Sequence, residues 1–371
     1  MGSVAKRNYF GVLDELDSMA LSVHQNRCIQ VRNGNVSCLR CATVCTSGCL
    51  SIVDGELVVD QQRCVGCGTC ASVCPTAAIG VRVPSDAQLL DHCVRASRQG
   101  VLRIVCHSAL EADGEEGTCE GVPVVCLGRL NESLLVSLAA EGIGEVELVC
   151  GTCEQCSYRP GRVAAETACT SAQNLLKAWD RAFAWSFVTR ESSRRLPLFP
   201  PTPSSAAVCE RGVFVTKPTP RRAHVTGDGT LPHFLPERHE SIIDALADLG
   251  EPVAERVESR LWGTASIDRS RCRGCRLCSV FCPTGALWRI TEADGTVGLV
   301  HYPADCVQCR CCEQVCRQGA IKVVGEVATD DLLSGRGNVL EVAIPLRDPQ
   351  DPDLMRRAVQ ESCRAVVSEK R

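Results

Sequence analysis

Cysteine carries the chemistry that is legible first. The chain of 371 residues holds 28 cysteines but only 7 phenylalanines, 4 tryptophans and 3 tyrosines. Thiols at this density serve disulfides, zinc, iron–sulfur clusters or reactive centres, and spacing selects among them. One segment reads Cys272-x2-Cys275-x2-Cys278-x3-Cys282-Pro283, then Cys306-x2-Cys309-x2-Cys312-x3-Cys316. A second reads Cys38-x2-Cys41-x3-Cys45 with Cys28 upstream, then Cys64-x2-Cys67-x2-Cys70-x3-Cys74-Pro75. Three thiolates two residues apart on a tight loop reach three corners of one cubane, and a fourth on the helical segment that follows points away. Zinc asks instead for two cysteine pairs and a spacer. Four runs, three of them complete, therefore predict iron–sulfur chemistry of the 4Fe-4S type.

Composition narrows the remaining classes. A formal charge of −4 gives no reason to expect nucleic acid or an anionic membrane surface as partner. Met1–Asp17 has no apolar signal core, Arg7 is not in a twin-arginine pair, and no apolar run reaches the length of a membrane span. These features predict a cytoplasmic, reducing setting, in which disulfides are rare and metal ligation leads. No G-x-G-x-x-G, P-loop or Ser/His/Asp constellation occurs, so no catalytic residue is assigned and the chain reads as a conductor without its own substrate site. Aromatic residues make up 4% of the chain. Cluster ligation is expected to supply folding energy that so few large side chains do not.

The elements that must position these thiols follow from pattern. The fold class expected is two α+β ferredoxin-like modules plus a small α/β domain with a parallel sheet. Residues 20–84 form the first dicluster module and 262–330 the second, each with a hairpin between its halves, turning at Asp54-Gly55 and at Asp294-Gly295. Residues 191–261 read as a Pro-rich linker with a short helix near Ile242, Ile243, Leu246 and Leu249, and 331–371 as a tail with a helix from Leu354 to Val367. Residues 85–190 alternate. A helix follows Ser85, then come strands Val101–Cys106 and Val122–Cys126, a helix Glu132–Glu141, strand Val146–Cys150, a helix Val163–Phe183 and strand Trp185–Thr189. Cys106, Cys126 and Cys150 end strands there, and the loop Val149–Tyr158 adds Cys153 and Cys156. Strand ends of an open parallel sheet face one crevice, so a further metal centre is expected. Cys93, Cys169 and Cys363 read as small buried hydrophobes, and His107 as a solvated loop residue.

The two end segments resemble bacterial two-cluster ferredoxins. The resemblance implies crosswise ligation: Cys272, Cys275, Cys278 and Cys316 on one cluster, and Cys306, Cys309, Cys312 and Cys282 on the next. It likewise implies Cys28, Cys38, Cys41 and Cys74 on a third, and Cys64, Cys67, Cys70 and Cys45 on a fourth. Cys49 stands as the alternative to Cys28, and Cys311 falls out of register. From Val124 to Trp179 the middle domain resembles the delta subunit of methyl-viologen-reducing hydrogenase, at Cys126-Leu127-Gly128-Arg129 and from Gly142 to Tyr158. That family's 2Fe-2S cluster implies one here, or another iron–sulfur centre, on Cys106, Cys126, Cys150 and Cys156, with Cys153 as substitute.

Four 4Fe-4S clusters and a middle-domain cluster predict an electron-transfer subunit working between redox partners of a hydrogenase, formate dehydrogenase or heterodisulfide-reductase-like complex. The alternative is a reductase whose middle-domain cluster binds substrate. Arg271, Arg273, Arg276, Arg310 and Arg317 crowd the C-terminal runs, and Arg27, Arg40 and Arg63 the N-terminal ones. Such charge raises cluster potentials or docks an acidic partner.

Overall fold

A computed structural model describes residues 20–97, 101–110, 121–190, 230–291 and 297–340. The centre is a four-stranded sheet, all parallel, in the order Val122–Val124, Leu102–Cys106, Glu145–Cys150, Ala184–Thr189. Ile104, Val105, Val146, Leu148 and Val149 are at most 1% exposed, and this run of successive apolar residues follows from helices covering both faces. Pro123 is tolerated because its strand lies at the edge.

Local chemistry starts each helix. Ser85 and Gln88 form a capping box before Asp86–Ser97, with the Gln88 amide donating to Ser85 Oγ at 3.2 Å and the Ser85 amide to Gln88 Oε1 at 2.9 Å. Asn131 Oδ1 accepts from the Leu134 amide at 3.0 Å to open Glu132–Ala140. Pro160 begins the helix Pro160–Ala178, where its missing N–H loses nothing.

The segment expected to be a linker is partly core. Helix Glu237–Asp248 buries Ile242, Ala245 and Leu246 against the sheet domain. Trp179 Nε1 donates to the Gly250 carbonyl at 2.9 Å, and the Val253 amide to the Ala178 carbonyl at 2.8 Å. Glu132, 1% exposed, pairs with Arg260. The periodic apolar face of that helix is a burial signal, and it outweighs the Pro-rich stretch before it. That stretch, the turn Asp294-Gly295, the expected tail helix and Cys363 lie outside the described residues. Residues 331–340, taken for tail, also pack: helix Thr329–Ser334 places Leu332 in the core and Asn338–Leu340 joins a module sheet.

The end modules repeat one topology. Leu21–Val23 pairs antiparallel with Ile79–Val81 around the hairpin Leu50–Val53/Glu56–Val59. Thr264–Ile267 pairs with Ile321–Val324 around Leu287–Thr291/Val297–His301. Asp54 and Gly55 both take positive φ, 51° and 80°, as a two-residue hairpin turn requires. Among the described residues no helix is long and apolar enough to cross a membrane.

His239, 1% exposed, lies 4.8 Å from the Trp262 ring, and neither of its nitrogens has a hydrogen-bond partner. Burial, and then Arg238, holds its pKa down to about 3 from 6.5. A depressed folded value means stability present above pH 6.5 and lost as pH falls toward 3. His239→Leu is expected to flatten that acid limb, seen as a smaller difference between urea midpoints at about pH 7 and about pH 4.

Candidate metal centres

Two backbone devices recur at the cysteine runs. The residues on either side of the second cysteine take left-handed φ in each complete run: Gly66 and Gly68 (69° and 78°), Gly274 and Arg276 (both 64°), Gln308 and Arg310 (48° and 60°). Non-glycine residues held there cost on the order of 1 kcal/mol each. Alternation with right-handed residues turns successive N–H groups toward one concavity that favours negative charge. The second device follows the last cysteine of all four runs, where the third residue on is left-handed: Gly48, Ala77, Gly285 and Gly319, with φ of 61°, 46°, 78° and 55°. The next amide then meets the sulfur, Ala78 N to Cys74 Sγ and Ala320 N to Cys316 Sγ, each at 3.3 Å. Hydroxyls of Ser47, Thr76 and Thr284 stand 3.4, 3.7 and 3.7 Å from Cys45, Cys74 and Cys282. Cys28 departs from the first device; it caps the short helix Ile29–Arg32.

These devices bring the thiols into four groups. Burial pushes Cys41 up to about 12, and Cys74, Cys28 and Cys38 add to it. Burial likewise raises Cys70, with Cys67, Cys41, Cys45 and Cys49 contributing. Cys278 rises to about 12 through burial and then Cys275, Cys316 and Cys272. Cys312 rises through burial and then Cys309, Cys306, Cys282 and Cys278. Each last cysteine thus stands with the run other than its own. Cys49 occupies the place of Ala78, Ala286 and Ala320 in the other turns, its Sγ 3.4 Å from Cys45 Sγ and away from the Cys28 group. Cys311, 0% exposed, points its Sγ to the Phe281 carbonyl at 3.5 Å. Cys93 and Cys169 are core residues at 0% exposure.

A polynuclear cluster needs more room between its thiolates than a zinc ion, which draws them to about 2.3 Å from one centre. Cys282, Cys306, Cys309 and Cys312 wall a cavity with about 340 Å³ of empty volume including its mouth, lined also by apolar Leu287 and Val323 and by Thr284, His301 and Arg310.

The middle domain gathers five thiols. Cys106, Cys126, Cys150, Cys153 and Cys156 line one pocket, with an empty volume of about 370 Å³ including its mouth. Cys106 and Cys150 end neighbouring strands. Cys126 was expected to end a strand, but that strand stops at Val124, and Cys126 caps the 3-10 turn Leu127–Arg129 at the same rim. A hydrogen bond from Cys153, then the Thr189 hydroxyl and Arg162, holds Cys150 below its ordinary value, and the same contact raises Cys153. Gly161 leaves room for the Cys126 sulfur, and a Cβ on Gly128 would meet Gly161 Cα at 2.6 Å. His107 is not in a loop; it opens the helix His107–Leu110, exposed and outside the pocket wall.

Sequence reading missed the cations packed around the thiols, of which Arg32 and Arg129 are buried and Arg162 and Arg238 half-buried. Arg162 reaches Cys150 Sγ at 3.6 Å and stacks 4.3 Å over Phe187. Arg238 donates to the carbonyls of Ala71, at 3.0 Å, and Cys74. Arg32 donates to the Cys282 carbonyl at 3.2 Å, and Arg129 lies against Gly68 while pairing with Asp86 at 2.5 Å. Arg276, grouped with surface arginines by its spacing, is 5% exposed. Only helical phase and contacts distant in sequence reveal these positions.

The 4Fe-4S binding domain family matches residues 57–80 and 265–288. Those stretches hold the complete runs Cys64–Cys74 and Cys272–Cys282, so the fold and site define an iron–sulfur protein with two such domains. An uncharacterized ferredoxin of Methanocaldococcus jannaschii is 40% identical over 63 residues, 16% of this chain and 95% of its own length. The chain therefore belongs to the ferredoxin family. Electron transport protein HydN of Escherichia coli is 46% identical over 43 residues, 12% of this chain and 25% of HydN. A subunit of the ion-translocating oxidoreductase complex of Methanosarcina acetivorans is 33% identical over 49 residues, 13% of this chain and 19% of that protein. The chain spans a quarter or less of these two relatives. No solved structure matches significantly. The family matches fall outside the middle domain.

Cys49→Ala installs the residue found in the other three turns and is expected to retain full iron. Cys28→Ala is expected to lose on the order of one cluster's iron, about four atoms. Iron and acid-labile sulfide analysis of anaerobic protein checks both.

Proposed function

We propose that the chain relays electrons between partner subunits of a cytoplasmic oxidoreductase complex of hydrogenase, formate dehydrogenase or heterodisulfide-reductase-like type. Four 4Fe-4S clusters would sit on the Cys28, Cys38, Cys41, Cys74 group, the Cys64, Cys67, Cys70, Cys45 group, the Cys306, Cys309, Cys312, Cys282 group and the Cys272, Cys275, Cys278, Cys316 group. A 2Fe-2S or other iron–sulfur centre would sit in the middle pocket on Cys106, Cys126, Cys150 and Cys156, as the resemblance to the hydrogenase delta subunit implies. The observation that carries this reading is the repetition of the two left-handed devices around four-thiol groups. HydN and the ion-translocating complex protein support a place among electron-transport assemblies.

Bound clusters supply one-electron uptake and release; the chain's residues do the rest. The thiolates hold iron, and apolar walls such as Ala265, Leu287 and Val323 exclude water. Amides of Ala78 and Ala320 donate to ligand sulfurs, which steadies negative charge there. The guanidinium groups of Arg238 and Arg32 stand over the carbonyls of Cys74 and Cys282 and offset the charge of the reduced state.

Anaerobic protein is expected to be brown, with about 16 iron atoms in the end modules and about two more in a 2Fe-2S middle centre. Folded, colourless protein loaded with zinc overturns the reading. Arg238→Met is expected to lower the midpoint potential of the Cys28 group, measured by redox titration followed by EPR.

A further inference from the structure

The two end modules are not beads on the connector between them. Ile29 and Val36 of the first pack with Val280, Phe281 and Val315 of the second in one buried cluster, and Cys38 and Cys309 lie against it. Arg32, four residues beyond Cys28, crosses the seam to the carbonyls of Cys282 at 3.2 Å and Pro232 at 2.7 Å. The Ser37 amide, beside Cys38, donates to Gln314 Oε1 at 2.8 Å. This seam therefore joins the Cys28 group to the Cys306 group.

The other neighbours are set as firmly. Gly128, two residues past Cys126, leaves no room for a Cβ beside Thr69, which lies between Cys67 and Cys70. Arg129 likewise fills the space over Gly68. The middle pocket thus abuts the Cys64 group, the short helix Thr69–Ser72 packing on the turn Leu127–Arg129 that follows Cys126. Within modules, Cys28, Cys41, Cys45, Cys64 and Cys70 share one packed cluster, and Cys278, Cys282, Cys306, Cys312 and Cys316 share another. At the far end Cys275 is the one exposed thiol among the described cysteines, and Arg271, Arg273 and Arg317 beside it are exposed.

We infer that the five thiol groups stand in single file: middle pocket, Cys64 group, Cys28 group, Cys306 group, Cys272 group, with Arg32 as the positioning residue at the seam. The middle pocket is then a terminus, and Cys275 marks the opposite end. This order rests on the cluster reading proposed above and goes beyond it, because the same clusters on freely hinged modules would have no fixed order.

The test uses the full chain, prepared anaerobically, reduced with dithionite and examined by EPR with iron and sulfide counted on each sample. Paramagnetic neighbours broaden one another's lines and speed their relaxation. Cys67→Ala is expected to leave the middle-pocket signal narrow and slowly relaxing, and Cys275→Ala to leave that signal unchanged. Arg32→Met is expected to weaken the coupling between the Cys28 and Cys306 signals at unchanged iron content. The unmodified protein serves where a variant does not fold: its middle-pocket signal is broadened by one neighbour and the Cys28 signal by two. A middle-pocket signal that responds to Cys275→Ala, or uncoupled Cys28 and Cys306 signals at a full iron count, overturns the order alone. A short iron count with narrow, uncoupled lines overturns the order and the cluster reading together.

Discussion

Holding thiolates away from water is the constraint on which this structure turns. An anion in a low-dielectric site is tolerated only beside compensating charge or donors. Burial pushes Cys41, Cys126, Cys278 and Cys306 up to about 12, so the bare chain keeps protons on these sulfurs. A metal that binds such sulfurs must displace those protons, so ligation couples to folding. The left-handed residues around the second cysteine of the three complete runs, the amides on Cys74 and Cys316 and the guanidinium groups of Arg32 and Arg238 all answer the same electrostatic demand.

That demand also shapes the core. Two large side chains stand where the modules meet the rest of the chain: Trp262 and Phe281 are both 0% exposed. Trp262 stacks near His239 and donates to the Ala304 carbonyl at 3.1 Å, two residues from Cys306. Phe281 precedes Cys282 and lies in the seam between modules. These two aromatic residues therefore fasten ligand loops to their surroundings. Truncating either would cost about 3–5 kcal/mol by the usual measure of large core side chains, a large share of the stability of a domain this size.

The middle domain follows a different logic. Cys106 and Cys150 end strands of a parallel sheet whose core is ordinary aliphatic packing, and its other thiols stand on the turns at the same rim. Five sulfurs and Arg162 share one rim. Gly128 and Gly161 permit the close approach that sets this rim against the Thr69 loop of the first module.

The sequence by itself determined what is local. Two-residue spacing fixes a tight loop, Asp54-Gly55 fixes a hairpin turn and Ser85 fixes a helix start, because each acts within a few residues along the chain. Alternation of apolar runs likewise made the parallel-sheet domain legible. Only the tertiary structure decided what depends on distant parts meeting. The fold sets Cys28 beside Cys38 and Cys74 and holds Cys49 against Cys45, in the turn that carries alanine elsewhere. Residues 230–261 are core because their apolar face finds Ala178, Trp179 and Glu132, more than 50 residues away in sequence. The cations that matter most are Arg32, Arg129 and Arg238, which look like any surface arginine until long-range packing buries them. Spacing specifies which atoms can reach a shared centre; burial and neighbours across the seam specify in what order those centres stand.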